Sequence, residues 1–98
     1  MKTTLNTRDF VHIPEHSSYN YNFYRNVHTG QILFEESDDD HGHSYWWVNE
    51  EDMVNGNPFK NAVKIGECWM EDFDIPTQAA RDHGNADEYE FEFDSEWC

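Results

Sequence analysis

Apolar and polar residues along this chain alternate mostly with a period of two. The clearest run is Tyr19 to Val27, where Tyr19, Tyr21, Phe23 and Val27 interleave with Asn20, Asn22 and Asn26. That is the signature of a half-buried strand. His28-Thr29-Gly30 supplies a turn, with Gly30 free to adopt positive φ, and Gln31-Ile32-Leu33-Phe34-Glu35 reads as the returning strand of a hairpin. Upstream, Asp9-Phe10-Val11-His12-Ile13 predicts a short strand stopped by Pro14. Downstream, Tyr45-Trp46-Trp47-Val48 predicts a central strand, and Asn61-Ala62-Val63-Lys64-Ile65 another, reaching Trp69 after a break at Gly66.

Two segments depart from this pattern. Glu50-Glu51-Asp52 opens a loop with one helical turn, which continues through Asn55-Gly56-Asn57-Pro58. Pro76 to about His83 predicts the one short helix, with Asp74 as N-cap and Gly84 as the stop. The end of the chain returns to period two: Glu88, Glu90, Glu92 and Asp94 alternate with Tyr89, Phe91 and Phe93. The expected fold is a small α+β single domain, mainly an antiparallel β-sheet of four to six strands with one short helix. No repeat or low-complexity linker divides residues 1–98.

Tyr24-Arg25-Asn26-Val27-His28-Thr29-Gly30 followed by Phe34-Glu35 resembles the second hairpin of a WW domain. The Trp and Pro that such a domain packs together are absent at the matching flanks. The resemblance therefore extends to hairpin chemistry and not to proline-peptide binding.

Charge changes the picture more than any motif. The chain holds 21 acidic residues against six basic ones, a formal net charge of −15 in 98 residues. Small domains stay soluble with a magnitude of about 2–8, and self-repulsion at higher density opposes compaction. Such charge often means disorder, but hydrophobic residues make up 37 % and aromatics 16 % of the chain. Each buried aromatic removes about 150–250 Å² from water, enough for a modest core, so a folded domain is expected, with stability that improves with salt.

The charge is concentrated toward the C-terminus, where Glu67 to Cys98 contains eleven acidic residues and one basic residue, Arg81. If residues 87–96 form a strand, Tyr89, Phe91 and Phe93 anchor it, and Asp87 opens an acidic ladder. Glu88, Glu90, Glu92, Asp94 and Glu96 then project from one face about 6.6–6.8 Å apart. Asp38-Asp39-Asp40, Glu50-Glu51-Asp52 and Glu71, Asp72 and Asp74 flank it. Together they form a phosphate-like field suited to the Lys/Arg groove of a protein that binds nucleic acid. Trp46, Trp47, Trp69 and Trp97 are the candidates for hot-spot contacts wherever they are exposed.

Other chemistry is weakly represented. Asp38-Asp39-Asp40-His41-Gly42-His43 contains ligand types but fails the calcium-loop pattern, because Val48 stands where the closing Glu belongs. It reads as a solvated loop. His12, His16, His28, His83 and Cys68 are unconnected candidates for zinc. Protonating the six histidines would leave the net charge strongly negative. Two cysteines, Cys68 and Cys98, are too few for a disulfide scaffold; two reduced thiols are expected, with a single bridge between them as the alternative. There is no nucleophile elbow, phosphate-binding Gly loop or dinucleotide fingerprint, so neither an enzyme nor a cofactor is expected.

The N-terminal residues lack the apolar core of a secretory signal, and no run approaches the roughly 18 apolar residues of a membrane span. The expected location is the cytoplasm. The expected function is a nucleic-acid-mimicking inhibitor from a phage or mobile element. Its partner would be a basic nucleic-acid-binding protein or nuclease: a restriction enzyme, CRISPR effector, nuclease or nucleoid protein. Neither nucleic acid nor a membrane is an expected partner, and a homodimer would join two ladders into one longer surface. The alternatives are an immunity protein against a basic nuclease toxin and a virion or replisome adaptor whose binding would change little with salt.

Overall fold

A computed structural model describes residues 2–38, 42–68, 78–84 and 90–94. Seven strands form one antiparallel sheet: β1 (Lys2–Asn6), β2 (Phe10–His12), β3 (Tyr21–Asn26), β4 (Ile32–Asp38), β5 (Gly42–Val48), β6 (Val63–Cys68) and β7 (Glu90–Asp94). Their order is β1-β7-β6-β5-β4-β3-β2. Two five-residue helices, α1 (Glu50–Val54) and α2 (Gln78–Asp82), accompany the sheet. The class is the expected antiparallel α+β. The sheet extends past the expected strand count because β1, which has no apolar alternation, pairs with β7 along its full length.

This order forces the sheet to curl. Laid flat, seven strands at about 4.8 Å spacing would hold β1 and β2 about 29 Å apart. Yet the two are joined only by the 3₁₀ turn Thr7–Asp9, and the steps from Asn6 to Phe10 reach at most about 15 Å. The two edges must approach each other at that corner, as in an open barrel. Packing agrees: Leu5 of β1 lies against a buried cluster of Phe10, Tyr24, Leu33 and Tyr45, contributed by β2 to β5. Thr7, in the corner itself, is fully buried.

Both faces of the central strands are apolar. The concave face holds the Phe10 cluster, with Trp47 and Ile65 against it. Ile65 is the extra residue of a bulge, where the β5–β6 register shifts between Tyr45 and Trp46. Bulges bend a strand and strengthen its twist, which suits a curling sheet. Gly66, expected to break this strand, instead pairs with Tyr45 inside it.

The outer face holds Ile13, Phe23, Ile32, Phe34, Val48 and Met53. The segment after α1 covers it, and Phe59 sets its ring edge-on to Phe34 (5.1 Å) and Trp46 (5.4 Å). Phe23 stacks on Phe34 at 4.7 Å. Such pairs contribute about 0.5–1.5 kcal/mol each beyond their buried area.

Local signals act where they were expected. In the β3–β4 turn, Asn26 Oδ1 accepts from the backbone N–H groups of His28 (2.8 Å) and Thr29 (3.1 Å), and Gly30 takes φ +77. An Asx-type turn closed by a left-handed glycine fixes the hairpin register. The segment 38–43 differs from the expected loop: Asp38 ends β4, Gly42 and His43 begin β5, and Asp38 pairs with Gly42. Of the helix expected from Pro76, the described residues show Gln78–Asp82, while Asp74 and Pro76 lie outside them.

Candidate partner-binding surface

Strand register gathers acidic residues from distant parts of the chain into one row. Tyr21 pairs with Glu36, Glu36 with Ser44, Ser44 with Glu67, Glu67 with Asp94, and Asp94 with Lys2. Directly opposed residues in antiparallel strands share a face, so this row crosses the outer face from β3 to β1. Glu36 and Glu67, two strands apart, are separated by about 10 Å of backbone. Along β7, Glu92 and Glu90 continue the acidic register opposite Thr4 and Asn6, while Phe91 pairs with Leu5 and Phe93 with Thr3. Leu5, opposite Phe91, belongs to the concave cluster.

Apart from Asp52, the expected contact residues fall into three groups. Asp38, Glu90, Glu92 and Asp94 are in strands. Glu50 and Glu51 are exposed in the first turn of α1, where the helix dipole favours negative charge. Asp39, Asp40, Glu71, Asp72, Asp74, Asp87, Glu88 and Glu96 lie outside the described residues, as do Trp69 and Trp97.

Asp52 is corrected by the structure. It is only 7 % exposed, and its Oδ2 accepts from Asn61 Nδ2 (2.9 Å) and Asn49 Nδ2 (3.4 Å). Its backbone carbonyl also accepts from Asn57 N–H. A carboxylate turned inward to hold residues 49–61 together is a structural clasp and offers no charge to a partner.

Two acidic groups of the surface have cationic neighbours. Arg25 Nη2 donates to Glu50 Oε1 at 2.6 Å, and this hydrogen bond, then the guanidinium charge, holds the Glu50 carboxyl below its usual value. Lys64 pairs with Glu67 and also stands 5.7 Å from the Trp46 ring centroid. Trp46 and Trp47 are half-buried in the two cores. Among the described residues the exposed aromatics are instead Tyr19 (89 %), Tyr21 (41 %) and Phe59 (41 %).

The most elaborate polar network among the described residues lies on the concave side, and sequence reasoning missed it. Glu35 is 3 % exposed. Its Oε1 accepts from Asn22 Nδ2 (3.0 Å) and Tyr24 OH (3.3 Å), and its Oε2 from Tyr45 OH (2.7 Å). His43 Nδ1 lies 3.8 Å from that Oε2 and 2.9 Å from Ser37 Oγ. The signal was parity: Glu35 shares a face with Leu33, which is completely buried. Satisfied in this way, the carboxylate fixes how β3, β4 and β5 pack against one another.

The fold and surface define a small curled antiparallel domain with a hydrogen-bonded interior and an acidic outer row. No family model, no curated protein and no solved structure matches the chain. Among the described residues, no helix is long and apolar enough to cross a membrane, and no three His, Cys, Asp or Glu side chains converge as metal ligands.

Proposed function

We propose that this protein is a stoichiometric inhibitor that mimics nucleic acid and occupies the basic groove of a DNA- or RNA-binding protein. The supporting observation is the cross-strand row Glu36, Glu67 and Asp94, with Glu92 and Glu90 beside it, in a chain of net charge −15. Stability alone gives no reason to align acidic residues on one face, since like charges on adjacent strands repel. A partner lined with Lys and Arg does, and its association would be steered by charge and weakened by salt. A duplex carries one charge per roughly 1.7 Å of axis. One strand of carboxylates falls short of that density, and several strands side by side approach it.

The test is capture of nuclease-treated bacterial lysate on the tagged protein, eluted with a salt gradient and with competing duplex DNA. The expected result is one dominant nucleic-acid-binding protein, released by both and lost when Glu36, Glu90 and Glu92 are changed to Lys. Capture that resists salt, ignores DNA and survives this triple reversal would overturn the proposal.

A further inference from the structure

One concavity of the outer face adjoins the acidic row. It is a cleft of about 270 Å³ lined by His16, Tyr21, Phe23, Met53, Pro58 and Phe59, among others. Sites for cofactors and drug-sized molecules run to about 300–1,000 Å³, so this volume suits a single side chain of a partner better than a small molecule. Its walls are largely apolar and aromatic. The Tyr21 and Phe59 rings are 6.4 Å apart, edge to face, and each is 41 % exposed.

The cleft is not purely hydrophobic in its setting. Tyr21 stands directly opposite Glu36, a spacing of about 4.5–5.5 Å between Cβ atoms. Glu36 is partly exposed, and among the described residues its carboxylate makes no hydrogen bond or ion pair. The acidic row thus begins at the rim of an aromatic cleft.

Few side chains satisfy both features. An aliphatic residue would fill the cleft but desolvate Glu36 without pairing it. A lysine would pair with Glu36 but presents a compact, strongly hydrated charge. Arginine has an apolar stem that can lie on hydrophobic surface. Its planar guanidinium stacks on aromatic faces and pairs in-plane with carboxylates. We propose that this cleft is the docking pocket for an arginine side chain of the basic partner. The stem lies against Phe23 and Met53, and the guanidinium rests on Tyr21 and Phe59 with Glu36 as its counter-ion. The proposal rests on the inhibitor reading for the partner's basic character, and it adds the point that sets register. Pure charge attracts many basic surfaces, whereas a buried arginine anchor selects among them.

The probe is a capped Gly-Arg-Gly peptide titrated into the full chain and followed by NMR, with its lysine and citrulline counterparts as controls. The expected result is saturable shifts confined to Tyr21, Phe23, Phe59 and Glu36, strongest for arginine and absent for neutral citrulline. Tyr21→Leu keeps an apolar contact on Phe34 while removing the π face, and should weaken arginine binding about two- to fivefold. Glu36→Gln should weaken it and narrow the gap between arginine and citrulline. Equal shifts from lysine and arginine, or shifts spread along β7 without saturation at the cleft, would overturn the pocket.

The two proposals fail separately. Saturable arginine binding at the cleft, with no nucleic-acid-binding protein captured from lysate, would keep the pocket and sink the mimicry. Salt-sensitive capture unchanged by Tyr21→Leu and Glu36→Gln would do the reverse.

Discussion

Replacing Glu35 with alanine removes the acceptor shared by Asn22, Tyr24 and Tyr45. Each buried donor deprived of its partner costs about 1–3 kcal/mol, so the two tyrosine hydroxyls give an upper sum of about 2–6 kcal/mol, to which half-buried Asn22 adds less. Two terms reduce it: the carboxylate's own desolvation, several kcal/mol, is relieved, and water entering the vacated space restores some hydrogen bonds. A net loss of about 3 kcal/mol follows, a large share of the roughly 5–15 kcal/mol that holds a domain folded. Glu35→Gln keeps the shape and one acceptor oxygen, and should cost about 1–2 kcal/mol. The assay is urea unfolding followed by tryptophan fluorescence, with calorimetry alongside. For a domain of this size, about 1 kcal/mol moves the melting temperature by about 4–8 °C, so Glu35→Ala should lower it by about 12–24 °C. Tyr45→Phe should destabilise more than Tyr24→Phe, since their hydroxyls sit 2.7 and 3.3 Å from the carboxylate. An alanine variant within about 0.5 kcal/mol of the parent, the range of ordinary surface substitutions, would refute the network's role.

Net charge makes stability salt-dependent: from about 0.01 M to 0.15 M salt the screening length falls from about 30 to 8 Å, so the urea midpoint should rise, and a falling midpoint would mean that attractive pairs dominate. Glu50 should titrate below 4.5, the ordinary value, and return toward it in Arg25→Gln, read from its side-chain carbonyl shift by NMR. Because its folded value is depressed, this pair stabilises the fold at neutral pH, and its contribution disappears as pH falls through the folded midpoint. Asp52→Ala should cost about 1–3 kcal/mol and speed amide exchange in residues 49–61 before the β3–β4 hairpin opens; equal protection in both variants would show that the clasp is not needed.

Legibility followed locality. The β3–β4 hairpin was readable because alternation and turn chemistry lie within sixteen consecutive positions, from Tyr21 to Glu36, and agree. The antiparallel α+β class followed from the same period-two runs. What stayed hidden depends on pairing across the chain. Lys2–Asn6 carries a single large apolar residue, Leu5, and becomes a strand because β7 offers it a ladder. The bulge at Ile65 has no sequence mark, since it is set by fitting β6 to the twist of β5. For the candidate surface, composition identified the charge and the β7 register of Glu90, Glu92 and Asp94. Composition could not bring Glu36 and Glu67 into that row, because register does so. It also assigned Asp52 to the surface, since burial depends on Asn49 and Asn61 being present to receive the carboxylate.

The curl reconciles an acidic chain with a folded one. In a flat sheet both faces would need cover, and the described residues offer little besides strands to provide it. Curling lets the concave face cover itself, so Leu5 reaches the cluster of Phe10, Tyr24, Leu33 and Tyr45 without a layer of helix. Polar groups needed to fix strand packing are drawn to that side, where Glu35 is satisfied by neighbours on β3 and β5. Among the described residues, Phe59 and Met53 cover one part of the convex side, and Glu36 and Glu67 stand partly exposed toward the other end of the outer strands. Side chains on a convex surface diverge, which moderates repulsion between neighbouring carboxylates. A row of like charges is therefore least costly on the face where this sheet carries it. Since Glu36 and Glu67 belong to neither buried cluster, substitutions there can alter binding while leaving both cores in place. Charge-reversal variants should accordingly unfold at urea midpoints at or above the parent's, and Tyr21→Leu at a modestly lower one for the ring contacts it loses. Binding lost by a still-folded variant then reports on the surface itself.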